Sequence, residues 1–329
     1  MEPPDVATNL VKTAASSPFI QIVDRDIMEE LLRDKRSPNT RRTYAKGLAM
    51  FFQHIANQEP SPQLIEQFLK LERFTAIQLV LGYKAHLMEQ GKAESTVNTR
   101  ISAVKALVKY AQKIGKCSWS LEEVQSEKVT SYRDTTGIES DAFKRLFEIP
   151  DRSTLKGKRD YALLRLLWDN VLRRNEICAA DTGDFDPDTR SLSILGKGKG
   201  TQKEKISISS LGSEAIADWL EARQERSPYE PRSPLFIAVD RAHFGHRLTG
   251  DGLYYLVRYE FAEKAGIKKI FSPHRCRHSG ITAALDQSDG NVRSVQKLSR
   301  HSNLDTLLKY DDNRKNAQGE MTDLLAGLI

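Results

Sequence analysis

From residue 37 to residue 115 the apolar side chains keep a helical rhythm, and no fold dominated by strands can use such a stretch. In "SPNTRRTYAKGLAMFFQHI", Tyr44, Leu48, Phe51, Phe52 and Ile55 fall at spacings of three and four, one face of a helix that Ser37 or Asn39 can cap. "ESTVNTRISAVKALVKYAQKIG" repeats the pattern, with Ser95 as cap, Val97, Ile101, Val104 and Val108 as the face, and Gly115 as the stop. Shorter helical candidates lie between them at 62–71 and 74–89. Residues 21–125 are therefore expected to form a bundle of four or five helices, preceded by a flexible arm at 1–20 where periodic apolar residues are scarce.

The polar stretch "SEKVTSYRDTTGI" reads as a linker over 126–139, and a second domain is expected at 140–329. Ser140 can cap "DAFKRLFEI", and "DYALLRLLWDNVL" sets Tyr161, Leu164, Trp168 and Val171 on one stripe. Two alternating runs, "SLSIL" (191–195) and "EKISIS" (204–209), flank the glycine- and lysine-rich "GKGKGTQK" as a hairpin would, and "SPLFIAV" (233–239) is a further strand candidate. Helices are expected at 213–225, about 250–265, about 278–287, 290–299, 304–310 and 315–328. The predicted fold is thus mainly α with a small β-hairpin or sheet: a helical N-terminal domain followed by a mixed α+β C-terminal domain.

Fifty Lys and Arg against 44 Asp and Glu leave a formal charge of +6, which permits a polyanionic partner without requiring one. Arg41, Arg42 and Lys46 on one long helix, and Arg100, Lys105 and Lys109 on the other, are candidate contacts to a DNA backbone; the alternative is a solvated face. Cys117, Cys178 and Cys276 are odd in number and far apart, which argues against a disulfide framework and suits a reducing compartment, with the cytoplasm as the expected location. The first residues do not read as a signal peptide, and no run of 18 apolar residues offers a membrane span.

"SPHRCRHSG" (272–280) raises a choice between metal and phosphate, because His274, Cys276 and His278 alternate with Arg275 and Arg277. Structural zinc sites use wider ligand pairs and four ligands in all, so no metal and no cofactor are expected. Basic and nucleophilic residues elsewhere favour phosphate: Arg173 in "VLRRNEI", Lys197 at the hairpin tip, His301, and Tyr310 nine residues beyond it. Guanidiniums fork onto phosphate oxygens, a histidine donates to them or moves a proton, a lysine protonates the departing oxygen, and a tyrosine can hold phosphorus as a covalent ester.

In this order the residues resemble the tyrosine recombinase, or phage integrase, family. Its pattern is an Arg in a G-L-R-x-x-E-L context, a Lys in a G-K-G turn, H-x-x-R, and a Gly-His pair followed by Tyr. Here these stand as Arg173 with Glu176, Lys197, His274 with Arg277, and His301 with Tyr310. The resemblance implies a SAM-like core-binding domain, a catalytic domain, and Arg173, Lys197, His274, Arg277, His301 and Tyr310 as the catalytic set. Glu176 would orient Arg173, His278 would be a buried support, and Lys199 and Lys203 would clamp the DNA backbone. It further implies a site-specific recombinase of bacterial, plasmid or phage context, acting on double-stranded DNA with inverted repeats. Four copies would pass through a 3'-phosphotyrosyl link and a Holliday junction. The apolar stripe of Met321, Leu324, Leu325 and Leu328 can dock on a neighbouring copy or fold back on its own domain. A type IB topoisomerase and a catalytically silent DNA-binding regulator share parts of this pattern.

The chain departs from it in three places. Val171 stands where a Gly often precedes the Leu, and Arg174 beside Arg173 is a second candidate for the first arginine, although the Leu-Arg-x-x-Glu register favours Arg173. Arg300 replaces the usual Gly before His301. Asp311 and Asp312 put negative charge next to Tyr310, where a phosphate would be repelled.

Overall fold

The computed structural model describes residues 26–129, 138, 140–196, 200–314 and 317–328, the side chains of 140, 309, 311–314, 317–318 and 320 aside. The arm expected at 1–20, most of the linker expected at 126–139, Lys197, Lys199, and the side chains of Asp311 and Asp312 lie outside the described residues. The chain divides into two compact units, Met1–Tyr132 and Arg133–Ile329.

The described helices of the first unit are Ile27–Asp34, Pro38–Ala56, Pro62–Leu69, Arg73–Glu89 and Glu94–Lys113. Ser37 caps the second, its hydroxyl accepting from Thr40 N at 3.4 Å, with Pro38 at a position that needs no donor. Ser95 does not cap the last helix. Ala93 O already accepts from Thr96 N at 2.8 Å and Val97 N at 3.0 Å, so the ladder starts two residues earlier, after the left-handed turn at Gly91. The long helices Pro38–Ala56 and Glu94–Lys113 cross at Gly47, where a Cβ would stand 2.9 Å from that of Ala103. Phe51 meets Phe52, Phe68 and Tyr83 edge to face at 5.2–5.4 Å between ring centroids. Trp119 closes the cluster against Phe68 at 5.6 Å and donates its indole N–H to Leu71 O at 3.0 Å.

In the second unit, helix Leu155–Asp169 is central. Ala162, Leu163, Leu164, Leu166 and Leu167 are wholly buried, around more of the helix than the expected single stripe, while Tyr161 and Trp168 are half-buried. The helix packs against Ser210–Gln224 and Pro273–Gln287 and ends before Val171. The hairpin forms as β2 (Ser191–Ile194) and β3 (Glu204–Ser207), paired antiparallel with Leu192 opposite Ile206. A short β1 (Phe185–Asp186), not anticipated from the sequence, extends the sheet on the other edge of β2.

The strand expected at 233–239 is absent. Leu235, Phe236 and Ile237 are buried as a strand's would be, but the segment makes only isolated bridges, since Leu235 N turns to Ala180 O (2.9 Å) while Phe236 O accepts from Leu248 N (2.9 Å). The expected helix near 250–265 is interrupted by a π segment at Leu256–Phe261, between Gly250–Tyr255 and Ala262–Lys264. "PHRCRHSG" lies inside helix Pro273–Gln287, whose Ser-Pro entry starts it before the expected residue 278. Helices Ser140–Glu148, Arg174–Ala179, Val292–Ser299, Asp305–Arg314 and Ala317–Ala326 also belong to the unit. No helix among the described residues is long and apolar enough to cross a membrane.

Candidate active site

Arg173 sits at the N-cap of helix Arg174–Ala179, and Glu176 folds back onto it: Oε2 accepts from Arg173 N at 2.9 Å and Oε1 from Arg173 Nη1 at 2.7 Å. The sequence reaches this turn through Val171, a β-branched residue at φ +44°, in the region where glycine is ordinary and valine is strained. Room for it comes from Gly280 on helix Pro273–Gln287, where a Cβ would stand 2.6 Å from Val171 Cγ1. The strained turn presents Val171 O to Arg277, one helical turn before Gly280. Arg277 is 2% exposed and donates Nη1 to Val171 O and Nη2 to Ser299 O. It therefore faces protein carbonyls, whereas His274 is exposed.

Arg277 also binds the third segment. Its Nη2 stands 3.3 Å from His301 Nε2, and because a guanidinium only donates, that nitrogen accepts. The ring proton is then on Nδ1, 3.0 Å from Ser299 Oγ. Burial, reinforced by Arg277, Arg173, Arg300 and His274, pushes His301 down to about 4, so the imidazole is neutral at pH 7. Burial, with Arg173 and Arg300 beside it, brings Arg277 down to about 9, and it stays a cation at that pH. Glu176, 2% exposed, is pushed up by burial; Arg300 and Arg173 together more than reverse this and hold it ionised.

Tyr310 enters from helix Asp305–Arg314. It is 3% exposed and packs with Val171, Ile281, Leu285, Val295 and Leu307. Its ring centroid lies 4.9 Å from that of His278 and 6.2 Å from that of His301. His278 is buried and shares a hydrogen bond with His274, Nε2 to Nε2 at 2.8 Å, so at least one of the two rings is neutral. Arg173, Glu176, His274, Arg277, His278, His301 and Tyr310 thus converge from separate parts of the chain. Arg174 does not join them: it points to Gly250 O and Asp251.

Residues 137–317 match the phage integrase family, and residues 28–115 match the N-terminal SAM-like domain of phage integrases. A tyrosine recombinase of Synechocystis, slr0733, is 52% identical over 93% of this chain and 96% of its own length. The chain belongs to the phage integrase family. A second relative, the tyrosine recombinase Synpcc7942_B2651 of Synechococcus elongatus, is 45% identical over 98% of this chain and 99% of the relative. Among solved structures, the XerH site-specific recombinase bound to a palindromic difH substrate shares the fold, with a TM-score of 0.64 at 20% identity over 87% of this chain and 80% of that one. Tyrosine recombinases of this family are DNA strand-transfer enzymes that cleave and rejoin DNA through a phosphotyrosyl intermediate, and they bind DNA and oligomerise.

Other expected contacts fare differently. Arg41, Arg42, Lys46 and Lys109 are exposed on the long helices, and Lys105 is half-buried. Arg100 is half-buried and lies against Met50 Sδ. Lys203 is exposed and pairs with acidic side chains, its ammonium on both oxygens of Asp184 (2.5 and 2.7 Å) and on Asp181 at 3.5 Å, because β1 and the turn before it bring those carboxylates to the start of β3. Arg300, given no role from the sequence, joins the cluster: Nη2 donates to Glu176 Oε2 at 3.0 Å. Its only sequence signal was the arginine standing at a family glycine. Among the described residues, no three His, Cys, Asp or Glu side chains gather as a metal site would need.

Proposed function

We propose that the protein is a site-specific recombinase in which Tyr310 is the nucleophile and Arg173, Lys197, His274, Arg277 and His301 form the phosphate cradle. The observation that carries this reading is the position of Tyr310, with its ring against His278 and 6.2 Å from His301, which is itself 3.3 Å from Arg277. The phenolic oxygen attacks phosphorus and forms the tyrosyl ester, its proton passing to a histidine of the cradle. The bond to the 5' oxygen breaks, and Lys197 supplies the proton that turns that oxygen into a hydroxyl. Arg173 and Arg277 neutralise the charge that builds on the non-bridging oxygens, Glu176 orients Arg173, and His278 supports His274. Rejoining reverses these steps with the 5' hydroxyl of another strand, so bond energy is conserved and no nucleotide is consumed.

In this reading residues 21–125 hold the DNA, 126–139 link, and 140–329 carry the chemistry. Exposed Arg41, Arg42, Lys46 and Lys109 suit backbone contacts, with Arg100 and Lys105 at their margin and Lys199 beside Lys197. The exposed stripe of Met321, Leu324, Leu325 and Leu328 suits exchange of the C-terminal helix between copies, in a tetramer that resolves a Holliday junction on inverted-repeat DNA. Cyanobacterial relatives named as tyrosine recombinases support a bacterial cytoplasmic setting. With 3% of its surface exposed, Tyr310 must be uncovered before a phosphate reaches it, which DNA binding would do.

The test is covalent capture. Wild type incubated with duplex carrying the cognate site, trapped with SDS, should give a protein–DNA adduct that Tyr310→Phe does not form. An adduct of equal yield from Tyr310→Phe removes Tyr310 as the nucleophile.

A further inference from the structure

Arg300 occupies a left-handed position, φ +57°, at the C-cap of helix Val292–Ser299. A side chain there costs roughly 1 kcal/mol that glycine would avoid, so its retention asks for a compensating role. The side chain does not reach outward. It is 8% exposed, Nη1 donates to Leu298 O at 2.7 Å and Asn170 O at 3.3 Å, and Nη2 donates to Glu176 Oε2 at 3.0 Å. Direct contact with DNA is thereby disfavoured.

Among the described residues, its ion pair is with the carboxylate that also orients Arg173. Glu176 holds Arg173 by two hydrogen bonds, which fixes the guanidinium but also sets a buried negative charge beside the group meant to meet a phosphate. In a poorly solvated site a carboxylate paired with Arg173 alone would cancel much of its field. Arg300 supplies the second cation. Two guanidiniums pair with the carboxylate, Arg277 lies within electrostatic reach of all three groups, and the cradle keeps a net positive charge.

We propose that Arg300 is a positioning residue: by sharing Glu176, it lets the carboxylate hold Arg173 in place without neutralising it towards the phosphate. This rests on the reading of Arg173 as a phosphate ligand. The bond also ties Arg173's turn to the loop carrying His301, since Arg300 spans from Leu298 O to Asn170 O and Glu176. Two residues of the cradle are thereby fixed through one side chain.

The experiment compares Arg300→Lys, Arg300→Gln and Arg300→Gly in single-turnover adduct formation, alongside DNA affinity, thermal midpoint and the pH profile of the rate. Glycine accepts φ +57° without strain, so Arg300→Gly keeps the fold available, and glutamine keeps a donor without charge. Arg300→Gln and Arg300→Gly should form adduct about tenfold or more slowly with DNA affinity changed by less than about threefold, a loss expressed in the transition state. Arg300→Lys should recover most of the rate. The acid limb of the rate profile should move to higher pH in the neutral variants, because Arg300 is one of the cations holding His301 low. Arg300→Gln reacting at the wild-type rate overturns the inference, as does equal slowing of the lysine and glutamine variants with an unmoved pH profile, the mark of a merely structural role. Arg173→Ala serves as the control: if it forms adduct as fast as wild type, the cradle reading itself fails and the inference falls with it.

Discussion

In the helical unit the deeply buried large side chains are Phe51, Phe52, Phe68 and Tyr83, whereas around Tyr310 in the second unit Arg277, Glu176 and His278 are buried alongside Val171 and Ile281. The first cluster is held by contact area and ring geometry. Each ring loses contact when a neighbour is cut, but no charge is left uncompensated. The second is held by charge and by donors matched to main-chain carbonyls, and there every group depends on its partner for a reason to be buried. An apolar core can be trimmed in proportion to the area lost; a polar cradle fails when one member goes.

The sharpest way to break this comparison is to remove one residue from each cluster. Glu176→Ala takes out the anion that Arg173 and Arg300 share and that offsets their field at Arg277, and it should cost about 3–5 kcal/mol in the unfolding of the second unit. Phe51→Ala should cost about 3 kcal/mol or somewhat more in the first unit, from lost transfer energy and the cavity left behind. The two differ in cause, and salt separates them: added salt should recover part of the Glu176→Ala loss and none of the Phe51→Ala loss. Denaturant titrations at two ionic strengths measure both. A Glu176→Ala cost under about 1 kcal/mol would mean that the cradle does not depend on its anion.

The same contrast explains how much the sequence disclosed. The Phe51 face, the Ser37 cap and the hairpin were legible because periodicity and capping are local rules, read within a few residues. Ser95 misled because two helix starts compete within three residues, and the ladder was decided by the Gly91 turn. Segment 233–239 has a strand's apolar run, but its hydrogen-bond partners are loops from 180 and 246–248, which no local pattern encodes. In the site, the order of Arg173, His274, Arg277, His301 and Tyr310 was legible through family resemblance. That Arg277 would donate to Val171 O and Ser299 O, that Lys203 would turn to Asp184, and that Arg300 would reach Glu176 was not, because each depends on residues brought together only by the fold.

A smaller effect tests the strained turn. Val171 is buried in the apolar cluster with Tyr310 and held at φ +44°. Val171→Ala removes apolar contact and keeps the strain, while Val171→Gly removes slightly more contact but regains roughly 1–2 kcal/mol of backbone energy. The usual order should invert, with the glycine variant at least as stable as the alanine variant and within about 1 kcal/mol of wild type. Thermal midpoints of the three proteins decide it. An alanine variant clearly more stable than the glycine one would mean that the turn is not strained at Val171.

A further effect is the pH dependence that His301 contributes. Burial, then Arg277, Arg173, Arg300 and His274, hold it at about 4, against an ordinary value of 6.5. Above pH 6.5 the ring is neutral in folded and unfolded chains alike, and it adds no slope. Between pH 6.5 and about 4 the unfolded chain takes up a proton that the folded one refuses, so stability falls as pH falls; below about 4 both are protonated and the contribution levels off. Glu176, held below its usual range, adds a loss of the same sign at the acid end of that window. The two are separated by His301→Gln, which should flatten the stability profile between pH 6.5 and 5 and leave the more acidic slope in place. If wild type and His301→Gln lose stability in parallel from pH 7 to 5, the cations around His301 do not act on it, and the cradle is less tightly coupled than its distances imply.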